Sequence, residues 1–177
     1  SGVLQDGSSK LFRGTIDFVP GCAGAKGTER EDVLLLGDDI VVNPDGPTAT
    51  QQLIEVYDQT GASVVGVQSV ADENVHKYGI IDPKEKLSDR LSHVAGFVEK
   101  PSKENAPSNF AILGRYILTP EIFALLETQA PGKGNEIQLT DAMAEYARTR
   151  GGMTAVEFTG KHYDMGNKLK VVEAQVE

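Results

Sequence analysis

The sequence predicts a mixed α/β sheet, mainly parallel, with helices packed on both faces. Three observations carry that prediction. Val33–Leu36 and Ala62–Val67 are short apolar runs of the kind found in strands buried on both sides. Between them, Ala49, Leu53, Val56 and Tyr57 recur at helical spacing. The resulting order of strand, helix and strand is the crossover unit of a parallel sheet.

The remaining elements follow in chain order. Residues 1–30 are rich in Gly and Ser and have no convincing period, so they read as a lead-in or surface loop. Gly21–Gly27 resembles a phosphate loop in composition only, because it lacks a preceding strand and a Lys-Ser/Thr ending. Asp45-Gly46-Pro47 is a turn before the first helix, and Gly61 stops that helix. Tyr78–Ile81 and His93–Glu99 read as strands of an antiparallel excursion, joined by a polar loop over Asp82–Asp89. Asn109–Ile117 is another strand. Thr119-Pro120-Glu121 then starts a helix, with Thr as cap and Pro in the first turn. Ile122, Leu125 and Leu126 form its buried stripe. Pro131–Gly134 breaks the chain before a helix that places Leu139, Ala142, Met143 and Tyr146 on one face. Met153–Phe158 alternates like a strand, and Leu169, Val172 and Val176 suggest a terminal helix. No internal repeat is present.

A chain of 177 residues with 40% hydrophobic and 24% charged content is ordinary for one soluble domain. No apolar run approaches the roughly 18 residues of a membrane span. The first residues have neither a basic segment nor an apolar core, so a cytoplasmic setting is expected. Cys22 is the only cysteine, which excludes an internal disulfide and a thiolate metal cluster. Net charge is −9, from 17 basic and 26 acidic residues. That balance argues against a nucleic-acid backbone as partner. It leaves room for a phosphorylated metabolite, provided a few cations sit locally.

Three constellations carry chemistry. Leu36-Gly37-Asp38-Asp39 ends a buried strand, where open α/β sheets bind ligands. A carboxylate there can share Mg²⁺ with substrate phosphates, or it can simply end a turn. Phe97-Val98-Glu99-Lys100-Pro101 sets an acceptor of sugar hydroxyls beside a cation for a phosphate. A solvated Glu-Lys pair is the plainer reading of the same residues. Tyr163-Asp164-Met165-Gly166-Asn167 offers a second carboxylate that can meet Asp38 on one metal. Arg115 can pair with an acid or a ligand. His76, His93 and His162 are too scattered for a metal site and read as structural or surface residues. Glu136 and Asp141 flank a helix start, where the dipole favours acids.

Taken together, Tyr78–Ile81, Phe97–Pro101, Ala106–Ile112, Gly114–Leu118, Pro131–Ala142 and Asp164–Lys168 resemble, in order and spacing, the bacterial UTP–glucose-1-phosphate uridylyltransferases. The resemblance spans about residues 31–177. It implies a Rossmann-like nucleotide-diphospho-sugar transferase fold and the conversion of UTP and glucose 1-phosphate into UDP-glucose and pyrophosphate. It also implies Mg²⁺ as cofactor, held by Asp38 and Asp164. Glu99 matches the residue that binds sugar hydroxyls and Lys100 the residue that binds the sugar phosphate. Gly79 matches the glycine whose backbone approaches the sugar. Asp38, Lys100 and Asp164 are thus the expected catalytic set, with Gly79, Glu99, Lys100, Arg115 and Glu136 binding substrate.

One departure stands out. The family's strand and G-x-G-T-R loop, its following lysine and its base-binding segment have no match in residues 1–30. The expectation is a truncated form, inactive alone, whose exposed sheet edge recruits another copy into a homo-oligomer. A non-catalytic sugar-phosphate-binding or assembly module is the alternative.

Overall fold

The computed structural model describes residues 16–19, 32–36, 39–132 and 135–164, with side chains over 39–132 and 135–163. The elements are β1 (Ile16–Val19), β2 (Asp32–Leu36), β3 (Asp39–Val42), α1 (Ala49–Thr60), β4 (Val64–Ser69), β5 (Gly79–Lys86), β6 (Leu91–Glu99), β7 (Phe110–Leu118), α2 (Pro120–Thr128), α3 (Leu139–Arg150), β8 (Met153–Glu157) and β9 (Lys161–Asp164). Short 3₁₀ turns occupy Asp72–Lys77 and Lys103–Asn105. The expected terminal helix and Asp38 lie outside the described residues.

Seven strands form one sheet in the order β1-β2-β7-β4-β8-β6-β5, and β3 pairs with β9 in a second, two-stranded sheet. The mixed character and the helices on both faces agree with the sequence. The mainly parallel expectation needs correction, because β4–β8 is the single parallel ladder among the described strands. β2 and β4 do run in one direction. However, β7 inserts antiparallel between them, so the crossover partners are not neighbours.

The alternation of β7 explains how both faces are covered. Ile112, Tyr116 and Leu118 join the core under α2 and α3, with Val65, Val67, Ile122, Ala142 and Met143. Ala111, Leu113 and Ile117 face the other way, into a core with Leu53 and Val56 of α1. Gly114, at φ 63°, accommodates the register shift between β4 and β7 that keeps both stripes buried.

α1 begins with a capping box. The Gln51 N–H donates to the Thr48 hydroxyl at 3.2 Å, and the Thr48 N–H donates to Gln51 Oε1 at 2.8 Å. Gly61 closes the helix in the left-handed conformation, at φ 64°. Thr119 precedes α2, but its hydroxyl does not cap the helix. It donates instead to Tyr146 Oη of α3 at 3.2 Å. Of the predicted α2 stripe only Ile122 is fully buried, and Leu125 and Leu126 pack at the margin.

Two further expectations change. The polar Asp82–Asp89 stretch is mostly strand: β5 runs to Lys86 because ladder hydrogen bonds do not require apolar side chains. Residues 16–19 also form a strand, which pairs antiparallel with β2 and occupies the edge that the sequence left open. β5 in turn curls back to pair with β7 at Ile80 and Ala111, which brings its first residue, Gly79, over Ile112.

Candidate functional site

The first cluster forms where β5 begins and β6 ends. Gly79 and Glu99 are opposite one another in that ladder. Thr140, near the start of α3, donates its hydroxyl proton to Glu99 Oε2 at 2.6 Å. Thr140 is buried, and the Glu99 side chain is only 17% exposed. A side chain at Gly79 would crowd its neighbours. A Cβ there would lie 3.2 Å from Glu99 Oε2, 3.2 Å from Ile112 Cδ1 and 3.3 Å from Thr140 Oγ1.

Lys100 follows with φ 47°, in the left-handed region that non-glycine residues rarely adopt. Its N–H still extends the ladder, donating to the Tyr78 carbonyl at 3.0 Å. Consecutive side chains in a regular strand point to opposite faces. The turn at Lys100 breaks that alternation and brings Nζ to 3.7 Å from Glu99 Oε1. The left-handed conformation costs a lysine about 1–2 kcal/mol, and strain of this kind clusters at functional sites. The carboxylate is thus held at one oxygen by Thr140 and faces a half-exposed ammonium at the other. This is an acceptor and a cation suited to a ligand that carries hydroxyls and an anionic group.

The second cluster sits on the β3–β9 pair. Asp39 and Asp164 are register partners, so residue 164 lies across from the neighbour of residue 38. Of Asp164 only the strand position is described. Asp39 Oδ1 and His162 Nε2 lie 2.5 Å apart on one face of the pair, both largely buried. Arg115, 9% exposed, donates to the Asp39 carbonyl and, at 3.0 Å, to the Gly114 carbonyl. It lies beside Gly66, which the Phe158 ring also flanks, on the α1 side, whereas Glu99 meets α3. The structure therefore places Arg115 under Asp39 and apart from the Glu99–Lys100 pair.

The chain entering β9 is held by side-chain amides. The Gln68 amide donates to the Phe158 and Gly160 carbonyls at 3.1 and 2.8 Å. Buried Gln52 donates to the Thr159 carbonyl at 3.0 Å and accepts the Thr159 N–H at 2.8 Å.

Glu136 is exposed in the bend before α3, and its carbonyl accepts the Gly132 N–H at 2.8 Å. His93 contacts the Gly151 carbonyl at 2.7 Å, at the end of α3, and His76 is exposed. No group of three metal-binding side chains occurs among the described residues. No helix among them is long and apolar enough to cross a membrane.

Sequence reading missed Thr140 and the Asp39–His162 pair. A signal for Thr140 was present, because it shares the buried stripe of Met143 and Ala147. A polar group at such a position needs a partner.

The nucleotidyl transferase family model matches residues 10–177. A UTP–glucose-1-phosphate uridylyltransferase of Staphylococcus epidermidis is 53% identical over 144 residues, which is 81% of this chain and 49% of that protein. The crystal structure of UDP-glucose pyrophosphorylase complexed with UDP-glucose superposes with a TM-score of 0.79 at 41% identity, covering 85% of this chain and 56% of the other. UTP-bound UGPase from Acinetobacter baumannii gives 0.72 at 33% identity, covering 84% and 50%. The chain spans about half the length of the curated relatives it matches.

Proposed function

Because the chain belongs to the nucleotidyl transferase family, we propose that it carries the sugar-phosphate and metal-binding part of a uridylyltransferase that converts UTP and glucose 1-phosphate into UDP-glucose and pyrophosphate. The observation that carries this reading is the Gly79–Glu99–Thr140 cluster with Lys100 beside it. The named activities of the relatives support it.

In this reading Glu99 Oε1 accepts hydrogen bonds from sugar hydroxyls. The bare backbone at Gly79 lets the sugar ring lie close. Lys100 holds the sugar phosphate, and its charge reduces repulsion between that phosphate and the incoming triphosphate. A phosphate oxygen of glucose 1-phosphate then attacks the α-phosphorus of UTP in line. The bond from that phosphorus to the bridging oxygen breaks, and pyrophosphate leaves. No covalent enzyme intermediate is needed, and catalysis is positioning plus neutralisation of charge.

Asp38 and Asp164 are the residues we assign to Mg²⁺. Two carboxylates suit that ion, which keeps open positions for substrate phosphates. The pairing of residues 39 and 164 supports their closeness. When bound, Mg²⁺ supplies positive charge beside the reacting phosphates. Arg115 and Asp39 act behind these carboxylates by anchoring β3. Glu136 contributes from the exposed bend before α3. Soluble substrates of this kind fit a cytoplasmic setting, and self-association remains part of the reading.

The test is glucose 1-phosphate binding by calorimetry, together with a pyrophosphatase-coupled assay containing UTP, glucose 1-phosphate and Mg²⁺. Binding with little turnover by the chain alone is expected. Robust turnover that Asp38→Ala and Asp164→Ala leave untouched contradicts the metal assignment.

A further inference from the structure

We infer that Thr140 is a positioning residue for sugar recognition, fixing the Glu99 carboxylate so that one oxygen remains for the sugar. The inference rests on the sugar-phosphate reading of the site and adds a residue on a different element. A glutamate at a strand end has three rotatable bonds and would otherwise sample several positions. Here Oε2 is engaged by the Thr140 hydroxyl at 2.6 Å. A carboxylate oxygen accepts and the hydroxyl has one O–H to donate, so Thr140 is the donor. Thr140 is itself fixed: it is buried, near the start of α3, on the stripe that packs Met143 and Ala147 into the core. The bond therefore ties the end of β6 to a rigid helix. Its effect falls on Oε1, which points toward Lys100 Nζ at 3.7 Å. Glu99 is thereby preorganised to accept from a hydroxyl next to the anion that Lys100 holds. Gly79 completes the arrangement, since a side chain there would press on both bonded oxygens.

This assignment separates two parts of the ligand. Thr140 acts through Glu99 on the hydroxyls, and Lys100 acts on the phosphate independently. The experiment is a pair of calorimetric titrations, glucose 1-phosphate and inorganic phosphate, on the folded chain and its variants. Thr140→Val, which keeps shape and loses the hydroxyl, should weaken glucose 1-phosphate about tenfold and leave phosphate within about twofold. Thr140→Ser, which keeps the donor, should restore glucose 1-phosphate binding to within about threefold. Should Thr140→Val not fold, Thr140→Ala is read by the same titrations. Unchanged sugar-phosphate binding without the hydroxyl, equal loss of both ligands, or a serine variant as weak as valine each overturns the inference. Wild-type protein that binds phosphate but shows no added affinity for the sugar removes the sugar-phosphate reading, and Thr140 with it.

Discussion

Asp39 and His162, 123 positions apart in the chain, meet at 2.5 Å and hold β3 against β9. β3 follows directly on Asp38, and β9 ends at Asp164. The contact is mostly shielded from water, with 16% of the Asp39 side chain and 12% of the His162 side chain exposed. We expect His162→Ala to cost about 1–3 kcal/mol, because Asp39 is left without its side-chain partner in a largely buried place. The same variant should weaken Mn²⁺ binding, followed by the loss of free-ion paramagnetic signal. His162→Gln, which keeps a donor, should recover part of both. Unchanged stability and Mn²⁺ affinity in His162→Ala would argue against the strand pair as the support for the carboxylates.

Gly79 offers a substitution that tests the site with little disturbance elsewhere. An alanine methyl would meet three atoms at 3.2–3.3 Å, two of them the oxygens of the Glu99–Thr140 bond. These neighbours must give by a few tenths of an ångström. We predict about a tenfold loss of glucose 1-phosphate affinity in Gly79→Ala, with a stability cost of only about 1 kcal/mol by denaturant titration. A large loss of stability with normal affinity would show the glycine to be a packing requirement alone.

Gly152→Ala should behave in the opposite way. Gly152 has φ 99°, and an added Cβ would lie 2.2 Å from the His93 ring, which contacts Gly151 at the end of α3. Both strain and overlap oppose the substitution, so we expect about 2–4 kcal/mol of destabilisation, read as a fall in the denaturation midpoint. Phosphate binding by the protein that remains folded should be normal.

Gln52 is the buried hub of the chain entering β9. Its side chain donates to the Pro47 and Thr159 carbonyls at 3.0 Å each and accepts from Arg90 and Thr159. Gln52→Leu retains bulk and strips the Thr159 N–H and carbonyl of their partner, whereas the Pro47 carbonyl keeps Asn43 at 2.8 Å and Arg90 keeps the Glu157 carbonyl at 2.9 Å. We predict about 2–3 kcal/mol of destabilisation, with hydrogen exchange accelerated first at Thr159 and in β9. Uniform acceleration over the whole chain would show that the hub does not act locally.

The elements were legible where one local pattern decides them. Ala49, Leu53 and Val56 announce α1 because burial on one side imposes the helical period, and Gly61 marks its end through its own backbone freedom. Strand neighbours were not legible. Proximity in sequence favours β2 beside β4, yet β7 lies between them because its two apolar stripes serve both cores. The edge strand at residues 16–19 was hidden by its brevity amid glycine and serine. At the site, Glu99 and Lys100 stand together as a motif. Thr140 escaped because its bond to Glu99 spans 41 positions. Asp39 and His162 escaped for the same reason: one follows Asp38 at a strand end and the other is a scattered histidine, with no local pattern to join them.

The central claim is that Glu99 and Lys100 form a sugar-phosphate site on this chain. Calorimetry of glucose 1-phosphate binding to the wild type, Glu99→Gln and Lys100→Ala tests it most directly. We predict measurable binding by the wild type, weakened about tenfold or more in each variant, with only Lys100→Ala also losing inorganic phosphate. A folded wild-type protein that binds no glucose 1-phosphate, or variants that bind it as well as the wild type, would contradict the account.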